Sequence, residues 1–146
     1  MELKDLIKES TIKLELDAID KNSVLDEMIN LLVDDKVVTN KNKFKKDILK
    51  REELSNTGIG FEIAIPHAKS KAVKEPRIAI GIARKGIDYG SIDGQAIKMI
   101  FMIAVNDEQN DLHLRALANL SRKLMHEEFR EKILNAKSKA EIMEIL

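Results

Sequence analysis

The chain has no cysteine and no tryptophan, and only two prolines and six glycines among its 146 residues. Without cysteine there is no disulfide scaffold, no thiolate metal site and no cysteine nucleophile. One tyrosine and four phenylalanines make up the aromatic inventory, which argues against stacking platforms for sugars or bases. Neither sign of charge dominates, with 25 Lys plus Arg against 25 Asp plus Glu. The electrostatic reason to expect nucleic acid is therefore absent. No apolar run approaches the roughly 18 residues of a membrane span. Glu2, Asp5 and two lysines occupy the first eight residues, and no apolar signal core follows them. Repeats, low-complexity tracts and Ser-, Gly- or Pro-rich linkers are also missing. What is left is 44% apolar and reads as one cytoplasmic domain over residues 1–146. A chain of this size buries roughly two-thirds of its unfolded surface and folds without staples.

Leu3 to Leu16 is ambiguous, because its leucines fit both a helical turn and strand alternation. A helix follows, with Asn22 or Ser23 as cap, Asp26 and Glu27 in its first turn, and an apolar stripe of Leu25, Met28, Ile29, Leu31 and Leu32. A second helix is predicted from about Asn42 to Glu52. It stops in the turn-rich run Ser55 to Gly60. Glu62 to Ile65 reads as a strand that Pro66 terminates. Arg77 to Ala83 and Ile97 to Val105 read as interior strands, the second apolar enough for burial on both faces. Asp111 is the expected cap of a helix carrying Leu114, Leu117, Leu120 and Leu124, and two shorter helices complete the chain. Helices, then strands, then helices predict an α/β fold with one sheet covered by helices.

The imidazoles are His67, His113 and His126. Pro66 fixes the backbone before His67, so the position suits a held reacting group as well as a surface turn residue. His113 falls in a helical first turn, with Leu117 and Leu120 on its face. A helix N-terminus favours anions and a neutral ring; a core-edge histidine bonded to a carbonyl fits equally. His126 reads as a cap or a solvated residue. Arg51 fits an exposed arginine near a helix C-terminus, and also a forked anion clamp. Rival chemistries lack their patterns: the histidines have no metal-site spacing, and neither GxxxxGK[ST] nor GxSxG occurs. A histidine nucleophile remains among the simplest possibilities.

The run Glu52 to Ala68, EELSNTGIGFEIAIPHA, resembles the active-site signature of type-2 enzyme IIA domains, the fructose/mannitol class of the bacterial phosphoenolpyruvate-dependent sugar phosphotransferase system. Arg51 precedes it, Ile92-Asp93-Gly94-Gln95 precedes the long strand, and Leu112 to Leu117 opens the next helix, while Phe129 to Leu134 resembles a late helix of that family. The resemblance covers essentially the whole chain. It implies a central mixed β-sheet flanked by helices. It also implies that His67 takes a phosphoryl group from HPr and passes it to a cysteine of a IIB component, with the membrane IIC component met only indirectly. Under it, His113 donates a hydrogen bond to the phosphoryl group and Arg51 stabilises its charge. No cofactor or metal is implied. Glu62 and Ala68 stand where many relatives have glycine, and Glu62 is expected to face solvent. Phe61 fits either a partner contact or core-edge packing. The same signature fits a carrier in sugar uptake and a regulatory relative; a binding module keeping only the fold is a third reading.

Overall fold

The computed structural model describes residues 2–146. Three layers stack in it: two helices, a six-stranded mixed sheet, and three helices. The two long apolar runs are its centre. β5 (Arg77–Ile87) and β6 (Ile97–Val105) pair antiparallel. Alternate residues of β6 feed opposite cores, Ile100, Met102 and Ala104 to one and Met99, Phe101, Ile103 and Val105 to the other. Burial on both faces is therefore borne out, and it follows from side chains alternating along a strand.

On the first face lie α1 (Lys21–Asp34) and α2 (Lys41–Leu54). Val24, Leu25, Met28, Ile29 and Leu32 of α1 join Phe44 and Ile48 of α2 in the core. The cap of α1 is Asp20, not Asn22 or Ser23. Its carboxylate accepts the Ser23 N–H at 2.9 Å. Starting at Lys21 moves Asp26 and Glu27 out of the first turn. Glu27 instead accepts the Asp17 and Ala18 N–H groups and pairs with Lys13 at 2.7 Å. On the second face lie α3 (Asn110–Leu124), α4 (Glu127–Asn135) and α5 (Lys139–Ile145), which bury Ala116, Leu120, Leu124, Ile133 and Ile142. Asp111 does not cap α3; it lies within the first turn and pairs with Arg115 at 3.2 Å.

The ambiguous start resolves into two short 3-10 turns, Leu3–Leu6 and Glu9–Thr11, and β1 (Ile12–Lys13), parallel to β5. The remaining strands are very short: β2 (Gly58–Gly60), β3 (Ile63–Ala64) and β4 (His67–Lys69). The sheet order is β1-β5-β6-β3-β2, with β4 paired to β6 beyond β3. Pro66 therefore interrupts a strand and does not end it. β3 runs beside Met99 and Ile100, and β4 resumes beside Ile103 to Val105. Proline has no N–H to offer the ladder, yet its carbonyl still accepts the Ile103 N–H at 3.0 Å.

Gly60 pairs with Ile63, so Phe61 and Glu62 are the two central residues of a tight hairpin. Their φ angles are 56° and 64°. Two consecutive left-handed residues make a type I′ turn, which prefers Asn-Gly or a similar pair. Glu62 is half-buried and pairs with Lys98 at 3.2 Å across partly exposed side chains, a contact worth at most about 1 kcal/mol. Left-handed backbone costs an L-residue about 1–2 kcal/mol. Glu62→Gly is therefore expected to stabilise the protein by about 0.5–1 kcal/mol, a rise of roughly 2–3 °C in Tm. A thermal melt with an unchanged or lower Tm contradicts this account of the turn.

Candidate functional site

β4 sets the first side chain. His67 is 6% exposed, and its Nδ1 lies 2.7 Å from the Ile65 carbonyl oxygen. A carbonyl only accepts, so Nδ1 carries the proton and Nε2 keeps the lone pair. Burial pushes the His67 pKa below its ordinary value; the Arg51 charge adds to this, while the Ile65 bond and the Glu52 charge oppose it. The ring is therefore neutral at neutral pH, which is the form able to attack an electrophile.

α3 supplies the second. The ring centroids of His113 and His67 are 5.2 Å apart, tilted by 47°. His113 is buried, and its Nδ1 has no hydrogen-bond partner. The expectation that a backbone carbonyl satisfies this ring is thus not met at Nδ1. Desolvation is the main cause that pushes its pKa down to about 4, with the charges of His67, Lys69 and Arg51 adding to it.

The last turn of α2 supplies the third. Arg51 Nη1 donates to the carbonyl and hydroxyl oxygens of Ser55, at 3.3 and 3.2 Å. Its other N–H groups make no protein hydrogen bond among the described residues. Arg51, His67 and His113 share a cavity of about 420 Å³ with Leu54, Ala68 and Lys69. Ala68 is almost fully buried on this wall. Lys69 reaches Asn110 Oδ1 at 2.6 Å, which ties β4 to the start of α3. Leu54, 80% exposed, is the apolar side chain at the mouth of this cavity.

His126 is exposed at the N-terminus of α4, where its side chain makes no capping bond. It borders an open depression of about 980 Å³ that shares no residue with the His67 cavity. Phe61 is also elsewhere. It stands at the hairpin tip with the Arg130 guanidinium stacked 4.6 Å from its ring centroid. The Ile63 and His67 pairing positions on β6 are four residues apart, about 13 Å along the strand. The ring is 64% exposed and capped by arginine, so core-edge packing does not describe it.

Sequence reasoning missed the support behind this cavity. Thr57 donates its hydroxyl to Glu52 Oε1, and Tyr89 OH lies 2.9 Å from Thr57 Oγ1. Lys21 pairs with Glu52 Oε2 at 2.8 Å. Glu52 opens the recognised run, but no spacing links it to Tyr89 or Lys21, which meet it only through the fold.

Fold and cavity together define a class: an α/β domain with a neutral imidazole, a second buried imidazole and a guanidinium lining one open cavity. The model of the family "Phosphoenolpyruvate-dependent sugar phosphotransferase system, EIIA 2" matches residues 5–146. The chain belongs to this family and is a phosphotransferase component, a carrier of the phosphohistidine relay. It is 42% identical over its full length to the fructose-specific EIIABC component of Bacillus subtilis, of which it spans 23%. It is 38% identical over 92% of its length to the fructose-specific EIIA component of Haloferax volcanii, and spans 88% of that protein. Among solved structures, nitrogen regulatory protein IIA-Ntr of Neisseria meningitidis superposes with a TM-score of 0.90 at 25% identity, covering 98% of this chain and 97% of that one. IIA mannitol of Escherichia coli gives 0.80 at 23% identity over 94% and 96%, a likeness of fold. The expected mixed sheet flanked by helices is the fold of these structures. No helix among the described residues is long and apolar enough to cross a membrane.

Proposed function

We propose that His67 is the phosphoryl acceptor, and that residues 1–146 act as one IIA unit between HPr and a IIB component in sugar uptake. The observation that carries this is the bond from His67 Nδ1 to the Ile65 carbonyl, which leaves the Nε2 lone pair for attack in the cavity shared with Arg51 and His113. Nε2 attacks phosphorus in line. The P–N bond to the HPr imidazole breaks, and that ring leaves with the bonding pair. In the second step a IIB cysteine thiolate attacks the same phosphorus, and the P–N bond to His67 returns its pair to Nε2. Little covalent work falls to the protein beyond positioning and charge stabilisation.

Arg51 offers its free N–H groups to the phosphoryl oxygens, and His113 offers a ring N–H. Because His113 stays neutral, its contribution is a hydrogen bond and not a full charge. His113→Ala is therefore expected to keep accepting phosphoryl groups from phospho-HPr and to pass them on poorly. Following both half-reactions separately checks this; wild-type rates in both remove His113 from the site. The exposed Leu54 at the cavity supplies apolar contact for transient protein partners.

The names of the two curated relatives make fructose the first sugar to assay. The test combines phosphoenolpyruvate, enzyme I, HPr, this protein and a candidate IIB. Phosphoryl arrival on the IIB cysteine, followed by sugar phosphorylation, supports the transport reading. The likeness to the nitrogen regulatory IIA-Ntr favours a second reading, a regulator that holds the phosphoryl group as a signal. Phosphorylation by HPr with no transfer to any candidate IIB supports that one. A protein that HPr does not phosphorylate is a binding module.

A further inference from the structure

We infer that Glu52 is a positioning residue for phosphoryl transfer, setting the Arg51 guanidinium and the His67 ring in register through Thr57. The inference rests on the reading of His67 as phosphoryl acceptor. The Glu52 side chain is 6% exposed and lies in the last turn of α2. A buried carboxylate is costly, and negative charge at a helix C-terminus is unfavourable. Three groups from other parts of the chain hold it there: Lys21 at 2.8 Å, the Thr57 hydroxyl, and the Tyr89 hydroxyl at 3.4 Å. Lys21 Nζ also sits 4.8 Å from the centre of the Tyr89 ring.

From Glu52 a continuous path leads to the reacting ring. The Thr57 hydroxyl donates to Glu52 Oε1. The Thr57 carbonyl accepts the Ile65 N–H at 2.9 Å. The Ile65 carbonyl accepts from His67 Nδ1 at 2.7 Å. In the other direction Glu52 is the peptide neighbour of Arg51 on the same turn. One buried carboxylate therefore ties the helix end that carries the guanidinium to the loop that orients the imidazole. Preorganised sites need such support, because misplacement of about 1 Å costs on the order of 100-fold in rate.

Glu52 also acts through its charge. From α2, Asp47, Lys50, Arg51 and Glu53 share the cavity wall with His67, while Glu52, outside that wall, acts on it through charge. His113 faces it from α3, and Lys69 from its own strand. Negative charge at Glu52 favours the imidazolium form of His67. Removing that charge lowers the His67 pKa further. The acid side of the rate profile, where protonation removes the Nε2 lone pair, then moves to lower pH.

The experiment compares wild type, Glu52→Gln and Thr57→Val in acceptance from phospho-HPr across pH, with an NMR titration of His67 in each. Glu52→Gln is expected to accept about tenfold more slowly, with its acid limb and its His67 titration moved to lower pH. Thr57→Val keeps the carboxylate; it is expected to lose rate similarly and to leave the acid limb in place. A Glu52→Gln protein with wild-type rate or an unmoved acid limb overturns the inference. If Glu52→Gln does not fold, Thr57→Val decides: a slowed rate supports the path and a wild-type rate breaks it. Wild type that takes no phosphoryl group would instead refute the reading of His67, a distinct result.

Discussion

His67→Ala is expected to fold and to take up no phosphoryl group from phospho-HPr. Loss is expected to be complete, not partial, because the group must be held covalently between two partners and alanine has no lone pair. His113 is not placed to substitute. His113 is buried with its Nδ1 unpartnered, and the in-line direction is set by Nε2 of a ring fixed on Ile65. The stability cost is modest. The substitution frees the Ile65 carbonyl, worth about 1–3 kcal/mol if it stays dry. Circular dichroism melts separate folding from chemistry. Normal stoichiometry of labelling in a folded His67→Ala protein sinks the assignment.

Arg51→Ala carries the second-largest expected effect. Its guanidinium is a permanent cation with N–H groups left over after Ser55 has taken Nη1. Losing one preorganised donor to developing charge typically costs about 2.7–4 kcal/mol, or roughly 100- to 1,000-fold in rate. That range is expected for acceptance from phospho-HPr, with little change in Tm because the Ser55 contacts are exposed. Arg51→Lys keeps the charge and loses the planar fork, so it should fall between wild type and alanine. Stopped-flow or rapid-quench rates read this directly. A wild-type rate in Arg51→Ala would reduce the arginine to a loop anchor.

The legible parts of the molecule were those with long local patterns. The nine residues of β6 announce double-sided burial without help from the rest of the chain, and the Leu117–Leu120 stripe places His113 inward. The parts that misled are those where pairing partners are distant. β3 and β4 hold two and three residues; only β6 makes them strands, so Pro66 looked like a terminus. The hairpin tip offered no Asn-Gly signal because Phe61 and Glu62 occupy a turn that disfavours both. Asp20 lies one residue outside α1, and its bond to Ser23 outweighed the nearer candidates. At the site, the ordered run from Glu52 to Ala68 pointed to His67 through resemblance, whereas chemistry alone left His67, His113 and Arg51 each with an ordinary alternative. Glu52's role was hidden for a physical reason: its partners Lys21, Thr57 and Tyr89 come from three separate segments and meet only after the sheet closes.

After incubation with phosphoenolpyruvate, enzyme I and HPr, phosphorus-31 and nitrogen-15 NMR of the protein identifies the phosphorylated atom. A single acid-labile phosphoryl group on Nε2 of His67 is expected. A phosphoryl group on Nδ1 of His67, on His113 or on His126 would contradict this.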